Sequence, residues 1–173
     1  MVSGAARFAL DETVVYAGRR MRIAGLVRFE GPGGQKTTRY LLMESSGTPA
    51  ILEEGDGRFS LLRPFPAEVK LPATGSTVIV GAEKYTLVAV RRLTVRSAEG
   101  QAPGGAPRSG LLLSGVFEGP TGTLMREMAP RSSRQTYYLM KALSAGEVLS
   151  AAQHASAREL EGRAAAKRAI DED

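Results

Sequence analysis

The fold that this sequence predicts is mostly β. Two related β-meander halves form one barrel-like or sandwich-like domain, and a single C-terminal helix follows. Three observations predict it. Alternating or β-branched apolar segments fill the first hundred residues, turns rich in Gly and Pro separate them, and the pattern begins again after a connector punctuated by Pro64, Pro66 and Pro72.

Thr13–Ala17 (TVVYA) is a short strand, Gly18-Arg19 a turn, and Arg20–Glu30 (RMRIAGLVRFE) a longer strand. Strict alternation along it puts Met21, Ile23, Gly25 and Val27 on one face. Arg20, Arg22, Ala24, Leu26 and Arg28 fall on the other. Glu30–Gln35 is a turn by its Gly and Pro content, Thr37–Glu44 (TTRYLLME) a strand, and Ser45–Thr48 a break. Pro49–Glu54 and Arg58–Arg63 flank Gly55-Asp56-Gly57, a hairpin signal, because φ > 0 at both central positions suits Asp and Gly.

Thr77–Val80 (TVIV), a turn at Gly81–Glu83 and a long strand over Lys84–Ser97 then repeat the opening. With Thr13 placed on Thr77, TVVYAGRRMRIAG lies over TVIVGAEKYTLVA without a gap, a repeat of about 64 residues. The later parts agree more loosely: Tyr40–Leu42 with Leu111–Leu113, Ala50–Glu54 with Thr123–Glu127, and Phe59–Leu62 with Tyr137–Met140. Each half exposes an apolar face, and stacking the two buries both. The expected organisation is a duplicated β domain over 1–143, with halves at about 10–66 and 74–143, then a helix and tail over 144–173. Ala98–Ser109 reads as a mobile Gly/Pro/Ala-rich loop. Ser144 with Glu147 forms the capping box expected to start the helix, and Gly162 weakens its middle by about 1 kcal/mol.

The 173-residue chain suits one domain. It has no cysteine, which excludes disulfides, thiolate nucleophiles and Cys-held zinc or iron–sulfur sites. Its single histidine, His154, reads as an exposed helical residue. The net charge of +5, from 23 basic against 18 acidic residues, permits an anionic partner without requiring one. No apolar run reaches the ~18 residues of a membrane span. Met1–Leu10 lacks the basic start and apolar core of a signal peptide, so the expected location is cytoplasmic.

Candidate chemistry is sparse. GPGGQKTT (Gly31–Thr38) is faintly like a phosphate loop, but Gln35 separates Gly34 from Lys36 and a strand follows instead of a helix, so it reads as a hairpin turn. Glu53, Glu54 and Asp56 read as exposed turn acids. A paired acid/base site would need a second carboxylate, for which Glu127 is the repeat-related candidate. The basic groups are Arg19-Arg20-Arg22, Arg91-Arg92 with Arg96, Arg126-Arg131-Arg134 and Arg158-Arg163-Lys167-Arg168. They read as solvated faces; the alternative is that Arg20, Arg22 and Arg28 form one stripe that meets phosphates. Aromatics for stacking bases are scarce. Val148, Leu149, Ala152, Ser156 and Leu160 make a narrow helical stripe, to lie on the domain's own sheet or on a partner's helix. Beyond Gly162 the tail is expected to be solvated, with Asp171-Glu172-Asp173 placed unfavourably at a helix C-terminus. There is no nucleophile elbow, kinase set or dinucleotide fingerprint.

The order TTRYLLMES then AILEEGDGRFSLLRPFP, followed by STVIVGAEKYTLVAV, GLLLSGVFEGPTGTLMRE and QTYYLMKALSAGEVLS, resembles the bacterial domain-of-unknown-function family 4178 over about Leu10–Leu149. Its members often carry tryptophans where this chain has Arg39-Tyr40 and Ala50-Ile51. The resemblance implies no reaction, carries over no functional residue, and implies a setting beside membrane-stress or polyamine-related systems. The expected function is a non-enzymatic binding or adaptor module of the bacterial cytosol, without cofactor or metal, whose partner is a protein. Its partner-binding candidates are Arg20, Arg22, Arg28, Glu53, Glu54, Asp56, Val148, Leu149 and Leu160; the alternative is a nucleic-acid or anion binder using the arginine face.

Overall fold

The computed structural model describes residues 7–45, 47, 49–65, 71–72, 74–104, 106–129, 135–144 and 146–171, with the side chains of 169–171 excepted. Arg131 and Arg134 of the third basic group, and Glu172-Asp173 of the acidic end, lie outside them. The first half comprises β1 (Thr13–Tyr16), β2 (Arg19–Glu30), β3 (Lys36–Met43), β4 (Pro49–Gly55) and β5 (Arg58–Pro64). The second comprises β6 (Thr77–Val80), β7 (Glu83–Gly100), β8 (Leu111–Gly119), β9 (Gly122–Met128) and β10 (Gln135–Ala142). A short strand β11 (Val148–Ser150) leads into helix α1 (Ala151–Asp171).

Eight strands close into a barrel in the order β2-β3-β4-β5-β10-β9-β8-β7, with β7 returning to β2. Closure removes the open edges that a flat sheet would leave. Two antiparallel seams join the halves: Gly25–Glu30 of β2 against Thr94–Gly100 of β7, and Ser60–Pro64 of β5 against Tyr138–Ala142 of β10. β2 and β7 each serve two neighbours along one edge. The first residues of β2 pair with β1 and those of β7 with β6, before both strands turn to the seam. The two halves therefore run through the same strand order, and Val14 and Val78, aligned by sequence, are both fully buried.

Alternation along the strands sorts the side chains. Inside the barrel, Val27, Phe29, Leu93 and Leu112 form one cluster and Leu41, Ile51, Leu62, Met125 and Tyr138 another. Outside it, Met21, Ile23, Leu26, Tyr40, Leu42, Leu52 and Leu61 pack under Phe8, Val14 and Val148. Val78, Tyr85, Phe117, Leu124 and Tyr137 form the outer cluster of the second half. Strand β3 is thus buried on both faces, which its sequence shows by having no polar side to its alternation.

The Asp56-Gly57 hairpin forms as expected, with φ of 53° and 74° between the paired Gly55 and Arg58.

Three expectations are corrected. Ala98–Gly100 belong to β7, and the loop that follows is packed: Ala106 is buried, and Gly104 lies so close to Tyr138 that a Cβ there would sit 2.7 Å from its hydroxyl. The helix does not start at Ser144. Ser144 N–H does bond Glu147, but Val148–Ser150 then pair with β1, and the capping box that begins α1 is Ser150 with Gln153. The helical stripe is accordingly split, because Val148 and Leu149 belong to a strand, Val148 is buried, and Leu160 is exposed on a helix that packs on β1 and β11 and is exposed from Arg158 to Arg168. Among the described residues, no helix is long and apolar enough to cross a membrane.

Candidate functional site

Arginine-stripe geometry fails at a bulge. Ile23 pairs with Leu42 and Gly25 with Leu41, so Ala24 is an extra residue and the alternation of β2 reverses there. Arg28 therefore faces opposite to Arg20 and Arg22. Surface acids also take up much of the basic surface: Arg19 pairs with Glu44, Arg22 with Asp11, Arg28 with Glu99 and Arg96 with Glu30.

The charged residues that do converge lie inside the barrel. Arg39 on β3 is fully buried, its guanidinium 5.5 Å from the Phe29 ring centre and 5.6 Å from that of Tyr138. Its Nη1 and Nη2 donate to both oxygens of Glu127, at 2.6 and 2.8 Å, and Nη2 also donates to Glu53 Oε2 at 2.8 Å. Arg91 on β7 donates from Nη1 to Glu53 Oε1 at 2.8 Å, and its Nη2 lies against Ser114 Oγ and Met125 Sδ. Two arginines and two glutamates thus form a neutral, interlocked layer across the barrel.

Glu53 and Glu127 are buried, which corrects the reading of Glu53 as an exposed turn acid. Glu127, the carboxylate that a paired site would need, does lie near Glu53, but Arg39 stands between them and bonds both. Glu54, one residue on, is half-buried on the outer face, and burial raises its carboxyl pKa; Asp56 is exposed at the hairpin tip. Equivalence of the halves falls on Glu53 and Glu127, one residue from the sequence alignment. Arg39 was missed, and Arg91, read as part of a solvated face, turns inward to Glu53. The available signal was position: Arg39 precedes Tyr40-Leu41-Leu42-Met43 in a strand with no charged residue on either face beyond it, and an arginine buried there needs internal carboxylates.

Electrostatics fixes the protonation of this layer. Burial opposes charge on Glu53, but Arg39 and then Arg91 outweigh it and hold the carboxyl at about 2, against an ordinary 4.5. Burial likewise opposes charge on Arg39, and Glu127 and Glu53 outweigh it, raising its pKa. The sign of the pH effect follows. The unfolded chain takes up a proton at Glu53 near 4.5 and the folded one near 2, so this stabilisation is fully present above pH 4.5 and is lost as pH falls through 2. We expect about 3 kcal/mol to disappear across that window. Urea midpoints measured along it should fall steeply in the native chain and less in Glu53→Gln; equal slopes would refute the assignment.

One end of the barrel opens above the layer. A cavity of about 710 Å³ reaches down to Glu53 and Arg91, with Pro32, Val90 and Leu143 on its apolar wall and Arg58 and Arg92 at its rim. Val90 is largely exposed. Arg91 Nε is buried without a hydrogen-bond partner among the described residues. A buried donor in that position calls for an acceptor oxygen. In comparisons with known proteins, no family model, no curated protein and no solved structure matches the chain.

Proposed function

We propose that the protein is a non-enzymatic binding module, and that the barrel mouth receives a segment of a protein partner. The observation that carries this reading is the state of the two carboxylates beneath the cavity. Each is engaged by arginine, and Glu53 is held ionised far below neutral pH, whereas a general acid needs a pKa raised toward the working pH. What remains accessible is recognition chemistry: an apolar wall, and arginines at the rim that suit a carboxylate on the incoming segment.

The resemblance to family 4178 extends the proposal to the bacterial cytosol, beside membrane-stress or polyamine-related systems. The common strand order of the halves and the 64-residue spacing support descent from a duplicated ancestor.

A photo-reactive residue placed at Arg92 tests the mouth, with one at the exposed Glu118 as control. The expected result is one defined protein crosslinked from Arg92 and not from Glu118. Once purified, it should bind the native chain at least about tenfold more tightly than the variant carrying R58E and R92E. Turnover that Glu53→Ala or Glu127→Ala removes would overturn the reading. So would binding to nucleic acid that weakens steeply with salt.

A further inference from the structure

The two halves differ at one edge. In the first half, the outer edge of β1 is closed by β11, with Val14, Val15 and Tyr16 opposite Ser150, Leu149 and Val148. In the second half, β6 occupies the same place and pairs on its inner side with β7, but among the described residues no strand pairs with its outer edge. The side chains report the difference. Val15 is 4% exposed and its counterpart Ile79 is 64% exposed, although the neighbouring Val14 and Val78 are equally buried.

Backbone alternation agrees. Val80 closes the hairpin with Glu83, and Ser76 accepts from Leu87, so the even-numbered residues face β7. Thr77 and Ile79 therefore direct N–H and C=O outward. The odd-numbered residues of β1 are the ones that face β11, where Ala17 N–H bonds Glu147. Natural edge strands are blunted by shortness, charge, proline or a bulge. Thr77-Val78-Ile79-Val80 is short but carries no charge, proline or bulge.

We propose that the outer edge of β6 is a strand-docking site for another protein. The occupant is an extended segment with two consecutive aliphatic residues, laid antiparallel and followed by a helix. β11 and α1 supply the template, since Val148-Leu149 pair with β1 and the first turns of α1 then cover that edge. Ile79 is left bare where such a helix would lie. A second copy of this chain is a poorer fit: two four-residue edges offer little of the roughly 1,000 Å² that a stable dimer needs, whereas a strand with its helix adds area beyond the edge. This site lies outside the barrel mouth and is tested separately from it.

The probe is a synthetic peptide of residues 146–160, titrated into the isotope-labelled full chain to about 1 mM and followed by NMR. The proposal expects saturable shifts centred on Thr77–Val80. It expects at least a tenfold loss of affinity in Ile79→Pro, which lacks the outward N–H, and a loss in Ile79→Lys, which keeps the backbone. R58E with R92E should leave binding unchanged. Absence of saturable binding overturns the proposal, as do shifts confined to β1 and β11, loss of binding in the mouth variant, or self-association of the chain through β6.

Discussion

Arg39→Met is expected to lower the stability of the fold by about 3–5 kcal/mol, the range for removing one partner of a buried ion pair. The side chain it removes is fully buried and holds both Glu127 oxygens and one oxygen of Glu53. The thioether leaves Glu127 without its charge partner in a site closed to water, and leaves Glu53 with Arg91 alone. Urea denaturation at neutral pH measures the loss. A second variant separates charge from packing: Arg39→Met combined with Glu127→Gln removes one buried charge of each sign and should recover part of the stability. A single-variant effect below about 1 kcal/mol would show that the layer is solvated.

Gly25→Ala should cost about 4 kcal/mol or prevent closure, an effect of the size reserved for severe steric conflict. A Cβ at Gly25 would stand 1.7 Å from the carbonyl oxygen of Gln101 and 2.7 Å from its nitrogen. Both are backbone atoms, and Gln101 N–H is already bonded to Ala24 C=O, so neither can swing aside. The same place holds Gly100, at φ +67° and paired with Gly25. Two glycines thus let β2 and β7 approach where the barrel shuts. Gly162→Ala, in open space on the helix, is the control and should be neutral or slightly stabilising. If both substitutions behave alike, the close approach at Gly25 is wrong.

Strands were largely legible in the sequence because their signal is local. Val14, Val15, Met21 and Ile23 alternate or cluster by themselves, and Asp56-Gly57 announces its turn without reference to anything distant. Ring closure was legible only as one of two alternatives, since β2–β7 and β5–β10 pairing joins segments some seventy to eighty residues apart. The arginine stripe failed for a physical reason: one inserted residue, Ala24, reverses the side-chain order, and the isolated Gly25 beside it was the only local sign of a bulge. The helix start was misplaced because Ser144 and Ser150 both offer capping boxes. Pairing with β1 gave Val148–Ser150 to the sheet. Glu53 and Glu127 were named as a pair, yet the arginine that unites them was hidden by its unremarkable neighbours Thr38 and Tyr40.

The two seams also govern how the chain is made. A ribosome that has released β1 to β5 has delivered Arg39 and Glu53, while Glu127, Arg91 and the strands that wall them in are still untranslated. Until β7 to β10 have been made, the guanidinium of the early half has no dry chamber to enter. Pairing across two such sequence-distant seams is expected to make folding slow.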